Sequence, residues 1–550
     1  MTAPATREQT LTRLKTENFD LVVIGGGITG AGIALDTAAR GLSVALLEKH
    51  DFASGTSSKS TKLIHGGLRY LKQFEVALVR EVGRERATVH RLAPHLVRPE
   101  KMLLPLVEDG SFGKIGTSLG LWVYDFLADV HGDDKRVMLS REETLEKEPL
   151  LRPDVLKGGG YYAEYRTDDA RLTMENLKTA RKHGAVIVNY VEAVDFDKNE
   201  DGKITAVHCR DLDKGEKISI NCTSVISAAG PWVDELRKED GSMTQTRLFL
   251  SKGVHIVVAR ERLPLRQAVY FDVPTDNRMI FAIPRLRSTY IGTTDTPYKG
   301  DSDNIPTTLD DVTYLLDAAN AMFPTANLRV EDVESNWAGL RPLIYEEGKE
   351  GAEMSRKDEI FESESGLLSI AGGKLTGYRK MAERIVDRLA DRLEDSGTDL
   401  PEARTEEIEL TGGPFKNFAA VLTYEKEVAE RLAAADLPPE RADYLVANYG
   451  RQTDEIVAAA ADRPGNGYEK LAAAEAAFCI ENELALYPMD FLNRRSGRLY
   501  FDLPSIPRVL NAVVDVFAET YGYDADERAQ QIRICEAEVA ERTEFGMAEV

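Results

Sequence analysis

The sequence of 550 residues is poor in cysteine and has no long apolar run. The four cysteines, Cys209, Cys222, Cys479 and Cys535, form no CxxC pair, so neither a disulfide framework nor a zinc or other metal site is expected. No stretch of about eighteen uncharged apolar residues occurs, and the N-terminal segment lacks the apolar core of a signal peptide. These absences predict a protein of the reducing cytosol that does not span a membrane.

Positive charge is also scarce. Lys and Arg number 69 against 92 Asp and Glu, and the formal net charge is -23. Non-specific binding of nucleic acid depends on clustered Lys and Arg that neutralise phosphates, so no nucleic-acid partner is expected. Any anionic ligand must be held by a local group of basic residues inside an acidic surface.

Apolar periodicity divides the chain into regions of different character. Strand, glycine-rich turn, small-residue helix and strand follow one another after a short polar tail, which is typical of a βαβ unit. Strand-like stretches separated by turns predict an antiparallel sheet between about 246 and 345, and helical spacing prevails from about 400. We therefore predict an N-terminal tail (1–17), a discontinuous α/β Rossmann-like domain (18–110, 156–245 and 345–396), a separate antiparallel domain (111–155 and 246–344) and a helical C-terminal domain (397–550).

The glycines of the first turn form a dinucleotide-binding signature. Gly25, Gly27 and Gly30 satisfy GxGxxG between a predicted strand and a predicted helix, where they allow a tight turn, close approach of a diphosphate and helix packing. Glu48 ends the second strand and is placed to accept hydrogen bonds from ribose hydroxyls, which disfavours a 2′-phosphate. The motif alone does not distinguish NAD from FAD.

The longer stretch that contains this turn resembles a known family. The segment DLVVIGGGITGAGIALDTAARGLSVALLEKHDFASGTSSKSTKLIHGGLRYL is similar to the N-terminal signature of the FAD-dependent glycerol-3-phosphate dehydrogenases. Further matches follow in order: DDARL (168–172), SAAGPWVD (227–234), KGVHIVV (252–258), IGTTDTPYKGD (291–301), AGLRPL (338–343) and GGKLTGYRKMAE (372–383). The resemblance spans about residues 19–390 and, more loosely, the helical tail. It implies an FAD-binding domain of the glutathione-reductase/D-amino-acid-oxidase type with non-covalent FAD, and it makes the antiparallel domain (111–155 and 246–344) the substrate-binding domain.

The resemblance also implies which residues bind the cofactor. Small hydroxyl residues such as Ser57 and Ser58 can bind the diphosphate or the ring edges without filling the space of the flavin, and Lys374 can face the ring edge where negative charge develops on reduction. A polar loop and a turn before a Pro-initiated helix are the alternatives for these blocks taken alone. The implied set is Gly25, Gly26, Gly27, Ile28, Thr29, Gly30, Glu48, Lys49, Thr56, Ser57, Ser58, Lys62, Leu63, Ile64, His65, Gly66, Gly67, Ala229, Gly230, Trp232, Gly339, Arg341, Gly373, Lys374, Leu375 and Thr376.

The substrate of the resembled family is a small phosphomonoester alcohol. A compact dianion requires several cationic donors, and Arg suits phosphate because its planar fork binds two oxygens. Arg69 with Tyr70, Arg341 and Lys374 match family positions near the substrate. A surface ion pair is the alternative for any one of these arginines.

Removal of hydride from a carbinol carbon also requires a base for the hydroxyl proton. His255 is the candidate, because strand alternation puts Gly253, His255 and Val257 on one face and the family has a histidine at this place. A histidine flanked by valine and isoleucine can equally be a satisfied core residue. His65 is the rival base, although the neighbouring Gly66 and Gly67 favour packing against the flavin.

The resemblance implies oxidation of sn-glycerol 3-phosphate to dihydroxyacetone phosphate by hydride transfer from C2 to flavin N5. It further implies a quinone acceptor, contact with the inner face of the cytoplasmic membrane, and leaves a homodimer open. An oxygen-using oxidase of the family carries an extra insertion, for which no large unaligned segment is found between 100 and 390. An amino-acid oxidase would require a carboxylate-and-amine pocket, and a non-catalytic flavin-binding scaffold would have no need of His255, Arg341 and Lys374.

Overall fold

The computed structural model describes residues 6–65, 76–108, 110, 136–243, 246–276, 278–346, 357–395, 397 and 399–546. Four predicted site residues, Gly66, Gly67, Arg69 and Tyr70, lie outside these residues, as do 111–135 of the predicted substrate-binding domain. Within the described ranges, no helix combines the length and the hydropathy that a membrane span requires.

The first sheet is a mixed sheet built around parallel strands. Its strand order is β17-β18-β10-β1-β2-β7, and β8 and β9 extend it from β10 as an antiparallel meander. The strands are β1 (Phe19–Ile24), β2 (Val44–Leu47), β7 (Val186–Val188), β8 (Val191–Lys198), β9 (Ile204–Asp211), β10 (Lys217–Ser227), β17 (Asp358–Glu362) and β18 (Leu368–Gly372). β1 runs parallel to both β2 and β10, which confirms the predicted Rossmann-like arrangement.

Alternate residues of β1 face two different cores. Leu21 and Val23 pack with the helices α2 (Ile28–Ala39), α5 (Asp169–Lys182) and α8 (Tyr378–Asp395), whereas Val22 packs with the meander. Burial on both faces accounts for the apolar run over 21–24 of this strand. The described part of the predicted polar tail is instead a helix, α1 (Arg7–Thr16), which Thr6 caps. The prediction failed because Leu11 and Leu14, three positions apart, bury one face of α1 on this second core.

The second sheet is largely antiparallel. Its order is β15-β11-β14-β13-β12-β4-β6-β3, with β16 paired to β11 and β5 paired to β6. The strands are β3 (Leu63–Ile64), β4 (Arg98–Val107), β5 (Val137–Leu139), β6 (Leu156–Arg166), β11 (Leu248–Ala259), β12 (Ala268–Asp272), β13 (Met279–Arg285), β14 (Ser288–Gly292), β15 (Thr296–Pro297) and β16 (Val333–Ile344). The antiparallel pairing predicted within 246–344 is present in β11 to β16.

The predicted boundary between the two sheets requires a correction. β4 and β6 were assigned to the Rossmann-like domain, but they pair with each other and join the second sheet through β12. Strand pairing is a non-local choice, so the local sequence pattern of a strand carries no information about its partner. The other described helices of the first 400 residues are α3 (Val76–Leu92), α4 (Arg141–Lys147), α6 (Val233–Glu239) and α7 (Leu309–Met322).

The C-terminal region is helical, as predicted. Its helices are α9 (Phe418–Ala434), α10 (Ala442–Tyr449), α11 (Thr453–Ala460), α12 (Gly467–Glu483), α13 (Pro488–Asp490), α14 (Arg498–Phe501), α15 (Ile506–Tyr521) and α16 (Ala525–Glu541), with a π-helical turn at Phe491–Arg495. Buried ion pairs connect this region to the first sheet. Arg171 of α5 donates two hydrogen bonds to Glu483, and Asp51, just after β2, accepts from Arg494 and Arg495.

Candidate active site

A cavity of about 1150 Å³ lies between the two sheets. Its lining includes the turn after β1, the end of β2, the segment 54–65, the turn after β10, parts of β11 and β16, and residues 370–376. This volume exceeds the range of about 300–1,000 Å³ that is usual for drug-sized ligands. The cavity therefore has room for a dinucleotide together with a small substrate.

The turn after β1 lines the cavity with the backbone of glycines, which have no side chains to fill the space. Gly25 has φ +117°, a left-handed conformation that favours glycine, and a Cβ on Gly30 would collide with the Gly25 carbonyl oxygen. Gly27 begins α2 without a side-chain cap, so the free N–H groups of the first turn of α2 are available to an anion. Ser57 Oγ accepts one of them, from Ile28, at 2.9 Å. This cradle fits a dinucleotide diphosphate.

Glu48 lies at the end of β2 and lines the cavity. One carboxylate oxygen accepts from the N–H of Gly26 at 2.7 Å and the other from the N–H of His50 at 2.9 Å. Burial raises the pKa of this carboxyl, and the two backbone N–H donors oppose that effect. The carboxylate is thus fixed beside the diphosphate cradle, where the sequence predicts contact with a ribose.

Most of the predicted cofactor residues that the structure describes line this one cavity. They are Gly25, Gly27, Ile28, Thr29, Glu48, Lys49, Thr56, Ser57, Leu63, His65, Ala229, Gly230, Trp232, Gly339, Arg341, Gly373, Lys374, Leu375 and Thr376. The predicted residues Gly26, Gly30, Ser58, Lys62 and Ile64 are absent from the lining. Blocks that are far apart in the sequence therefore meet at one site.

Lys62 is the clearest departure from the predicted set. Its side chain is 1% exposed, and Nζ donates to the carboxylate of Asp169 and to the carbonyl of Ser58. The lysine thus compensates a carboxylate at the start of α5 and does not face the cavity. This ion pair could not be predicted from a local pattern, because its two members are 107 residues apart in the sequence.

The cationic residues Arg341 and Lys374 line the same cavity. Arg341 Nη2 donates to Thr293 Oγ1 at 3.0 Å and to the carbonyl of Thr294 at 3.2 Å, and Nη1 lies 3.3 Å from Asp295 Oδ1. Gly253, opposite Gly339 across the β11–β16 pair, leaves room for this guanidinium, since a Cβ there would collide with it. Two cations thus border one cavity inside an acidic protein.

His255 borders the cavity but is only 1% exposed. Its ring stacks on Trp337 with centroids 4.7 Å apart, and Nε2 lies 3.0 Å from Thr61 Oγ1. Burial, and then the positive charges of Arg341 and Lys62, hold the pKa of His255 well below its ordinary value. The imidazole is therefore neutral at physiological pH and has a lone pair that can accept a proton.

Three residues of this site escaped the sequence analysis: Thr61, Asp295 and Trp337. Thr61 stands within the hydroxyl-rich run that drew attention to Ser57 and Ser58, but nothing in that run indicates which hydroxyl meets a histidine. Trp337 lies opposite His255 through the register of β11 with β16. Only knowledge of that register could have identified it.

Comparison with known proteins shows which protein families this chain resembles. Residues 20–379 match the family described as FAD dependent oxidoreductase, and residues 403–528 match the C-terminal domain of alpha-glycerophosphate oxidase. The aerobic glycerol-3-phosphate dehydrogenase of Staphylococcus haemolyticus is 49% identical over 520 residues, which cover 94% of this chain and 93% of that protein. The chain belongs to the family of FAD-dependent glycerol-3-phosphate dehydrogenases.

Other relatives agree with this membership. The aerobic glycerol-3-phosphate dehydrogenase of Staphylococcus aureus is 47% identical over 523 residues, covering 94% of this chain and 93% of that protein. The X-ray structure of the glycerol-3-phosphate dehydrogenase from Bacillus halodurans complexed with FAD matches with TM-score 0.84 and 41% identity, and the match covers 100% of both chains. L-alpha-glycerophosphate oxidase from Mycoplasma pneumoniae with FAD bound has TM-score 0.55 at 20% identity over 71% of this chain and 97% of that one, a likeness of fold alone.

The glycine cradle of this FAD-dependent dehydrogenase makes a direct prediction. Replacing Gly30 with Ala puts a methyl group against the Gly25 carbonyl oxygen, so the turn must shift and its N–H groups move away from the diphosphate. Overpacking typically costs about 1–3 kcal/mol, so we expect the Kd for FAD to rise about 10- to 100-fold. Titration of FAD into the apo protein, followed by flavin fluorescence, measures this change.

Gly32→Ala is the matched control for this experiment. Gly32 lies in the same helix, but its added Cβ would approach Tyr378 and Ala382 of α8 at 3.1–3.2 Å and stay clear of the turn. This variant should lose stability rather than affinity for FAD. Equal affinity of Gly30→Ala and the wild type would contradict the role of the cradle.

Proposed function

We propose that the protein oxidises sn-glycerol 3-phosphate to dihydroxyacetone phosphate with FAD, that His255 removes the hydroxyl proton, and that Arg341 and Lys374 hold the phosphate. Membership of the dehydrogenase family supports the reaction. The observation that carries the assignment of roles is the meeting of a neutral histidine and two cations at one cavity that also contains the dinucleotide cradle.

FAD, when bound, supplies the acceptor for the hydride that leaves C2. The residues of the chain then have two tasks, to bind the phosphate and to accept the hydroxyl proton. His255 suits the second task because a neutral imidazole carries a lone pair that can accept the proton. A positive charge on His255 before the reaction would remove this capacity.

Arg341 suits the first task because its guanidinium is already oriented. Thr293, the Thr294 carbonyl and Asp295 hold it from the side of β14 and the segment that follows. A guanidinium that is already oriented loses little conformational entropy when it binds a phosphate. Arg69 and Tyr70 complete the phosphate site in this proposal, on the strength of the family motif HGGLRY.

Anaerobic reduction of the flavin tests the reaction. Addition of glycerol 3-phosphate to the oxidised holoenzyme should bleach the visible flavin absorbance within the mixing time of a cuvette experiment, whereas glycine should leave it unchanged. Bleaching by the amino acid alone would favour an amino-acid oxidase. Failure of either compound to reduce the flavin would favour a non-catalytic scaffold.

The electron acceptor in this proposal is a quinone, reached from the inner face of the cytoplasmic membrane. The support is the naming of the 47–49% identical relatives as dehydrogenases rather than oxidases. The enzyme reduced as above should be re-oxidised faster by a water-soluble quinone analogue than by air. Rapid re-oxidation by air with stoichiometric hydrogen peroxide would instead identify an oxidase.

A further inference from the structure

The only nitrogen of His255 with a hydrogen-bond partner, among the residues that the structure describes, is Nε2. Its partner is Thr61 Oγ1, at 3.0 Å. Nδ1 is enclosed and has no partner in the same part of the chain. A base must present its lone pair where a substrate proton can reach it, and enclosure excludes Nδ1 from that role. Nε2 is therefore the nitrogen placed to accept a proton, which requires the tautomer that carries its proton on Nδ1.

Thr61 lies at the more open end of this pair. The residue is half-buried and lines the cavity, whereas His255 is 1% exposed. The threonine hydroxyl can donate to Nε2 and at the same time accept a hydrogen bond through its lone pairs. It is thus the group through which a proton in the cavity can reach the buried imidazole.

The backbone around Thr61 is held by three contacts from other elements. The Tyr290 hydroxyl donates to the Thr61 carbonyl at 3.0 Å, and Trp337 Nε1 donates to the Ser60 carbonyl at 3.3 Å. The N–H of Ser60 donates to Asp169 at 3.0 Å. Trp337 also stacks on His255, so one indole fixes both members of the pair and keeps the hydroxyl opposite Nε2.

We propose that Thr61 is a proton relay between the substrate hydroxyl and His255. This inference rests on the proposed role of His255 as the base. When hydride leaves C2, the substrate O–H bond breaks and its proton forms a new bond to Thr61 Oγ1. The original Thr61 proton passes at the same time to Nε2, so the products are a ketone, an unchanged threonine and an imidazolium with protons on both nitrogens. FAD, when bound, would accept the hydride, that is the C2 hydrogen with its electron pair, and no other reactant is required.

Substitution of Thr61 by Val tests the relay, because Val has the same shape and no hydroxyl. Anaerobic stopped-flow reduction of the holoenzyme should be slowed about 10- to 100-fold, which is at or below the lower end of the roughly hundred- to ten-thousand-fold contribution of a general base, with the Kd of glycerol 3-phosphate changed less than about threefold. Thr61→Ser, which keeps the hydroxyl, should restore the rate to within about threefold of the wild type. Thr289→Val is the matched control, since Thr289 is a buried threonine whose hydroxyl donates to the Leu263 carbonyl outside the cavity.

A second measurement does not depend on turnover. In the FAD-free protein labelled with ¹⁵N-histidine, the Nε2 resonance of His255 should shift in Thr61→Val and keep its position in Thr61→Ser and Thr289→Val. An unchanged Nε2 resonance in Thr61→Val would mean that the hydroxyl does not bond to the imidazole, which overturns the relay.

A double-mutant cycle separates this inference from the proposed function. If the relay operates, His255→Asn combined with Thr61→Val should be no slower than His255→Asn alone, because both variants interrupt one path. A normal rate in His255→Asn would overturn the base itself. A slow His255→Asn with a normal Thr61→Val, or with additive losses, would leave the base in place and overturn the relay alone.

Discussion

His255→Asn should slow the reduction of the flavin by glycerol 3-phosphate roughly a hundred- to ten-thousand-fold, the usual contribution of a well-placed general base. Asparagine keeps a polar side chain of similar width in the space beside Trp337 but has no basic nitrogen. FAD binding should persist, because the cradle formed by Gly25, Gly27 and Ser57 is built from other elements. The substitution should therefore lower the rate constant of flavin reduction and leave the Kd of the substrate nearly unchanged.

Stopped-flow mixing of the anaerobic holoenzyme with a range of substrate concentrations separates these two quantities. His183→Asn serves as the matched control, since His183 ends α5 and is exposed outside the cavity. The rival base is tested in the same way with His65→Asn. A larger loss in that variant than in His255→Asn would transfer the role of base to His65.

Asp51→Asn should lower the free energy of unfolding by about 3–5 kcal/mol, the cost of breaking a buried ion pair by removal of one partner. Asp51 is 1% exposed and accepts two hydrogen bonds from Arg495 at 2.7 Å and one from Arg494 at 2.5 Å. Arg495 is itself fully buried. Loss of the carboxylate would leave its guanidinium with a more distant countercharge, since Glu483 Oε2 lies 3.8 Å from Arg495 Nε.

Denaturant unfolding of the apo protein, followed by far-UV circular dichroism, measures this cost. The matched control is Asp515→Asn, because Asp515 pairs with Arg528 at the surface and its side chain is 52% exposed. An exposed pair of this kind is worth about 0–1 kcal/mol. If Asp51→Asn lowers the free energy of unfolding as little as Asp515→Asn does, the proposed stabilisation by the buried ion pair is wrong.

The same carboxyl predicts how stability changes with pH. Burial raises the pKa of Asp51, but Arg495 and Arg494 outweigh this effect and bring the pKa to about 2, against an unfolded value of about 3.9. A depressed pKa stabilises the folded state above the unfolded value, so this contribution is present at neutral pH and is lost as the pH falls from about 4 to 2. The stability of Asp51→Asn should depend less on pH in that window.

Local patterns in the sequence were sufficient for the cofactor cradle. GxGxxG, the small-residue helix and Glu48 all depend on residues within one βαβ unit, and the structure arranges them as predicted. Contacts that join distant segments could not be read in this way. The membership of β4 and β6 in the second sheet, the ion pair of Lys62 and the register that puts Trp337 against His255 are each decided by tertiary packing.

The helix α1 is a second feature that could not be predicted from the sequence. Two leucines in a polar segment carry too weak a periodicity to predict a helix, and the core that buries them combines β1 and β2 with strands that come much later in the sequence, from β7 to β10. Thr61 illustrates the same limit within the site. Its residue type was visible in TSSKSTK, but its role depends on a histidine 194 residues away.

The contact of Asp51 with Arg494 and Arg495 has a consequence for where the chain can be divided. The boundary near residue 400 separates two matched regions, and a protein engineer would be inclined to cut there. A fragment that ends at this boundary would lose both guanidinium partners of a carboxylate that stands three residues after Glu48. The C-terminal helices therefore supply the charges that compensate a buried carboxylate next to the dinucleotide cradle, and we expect the two matched regions to unfold together.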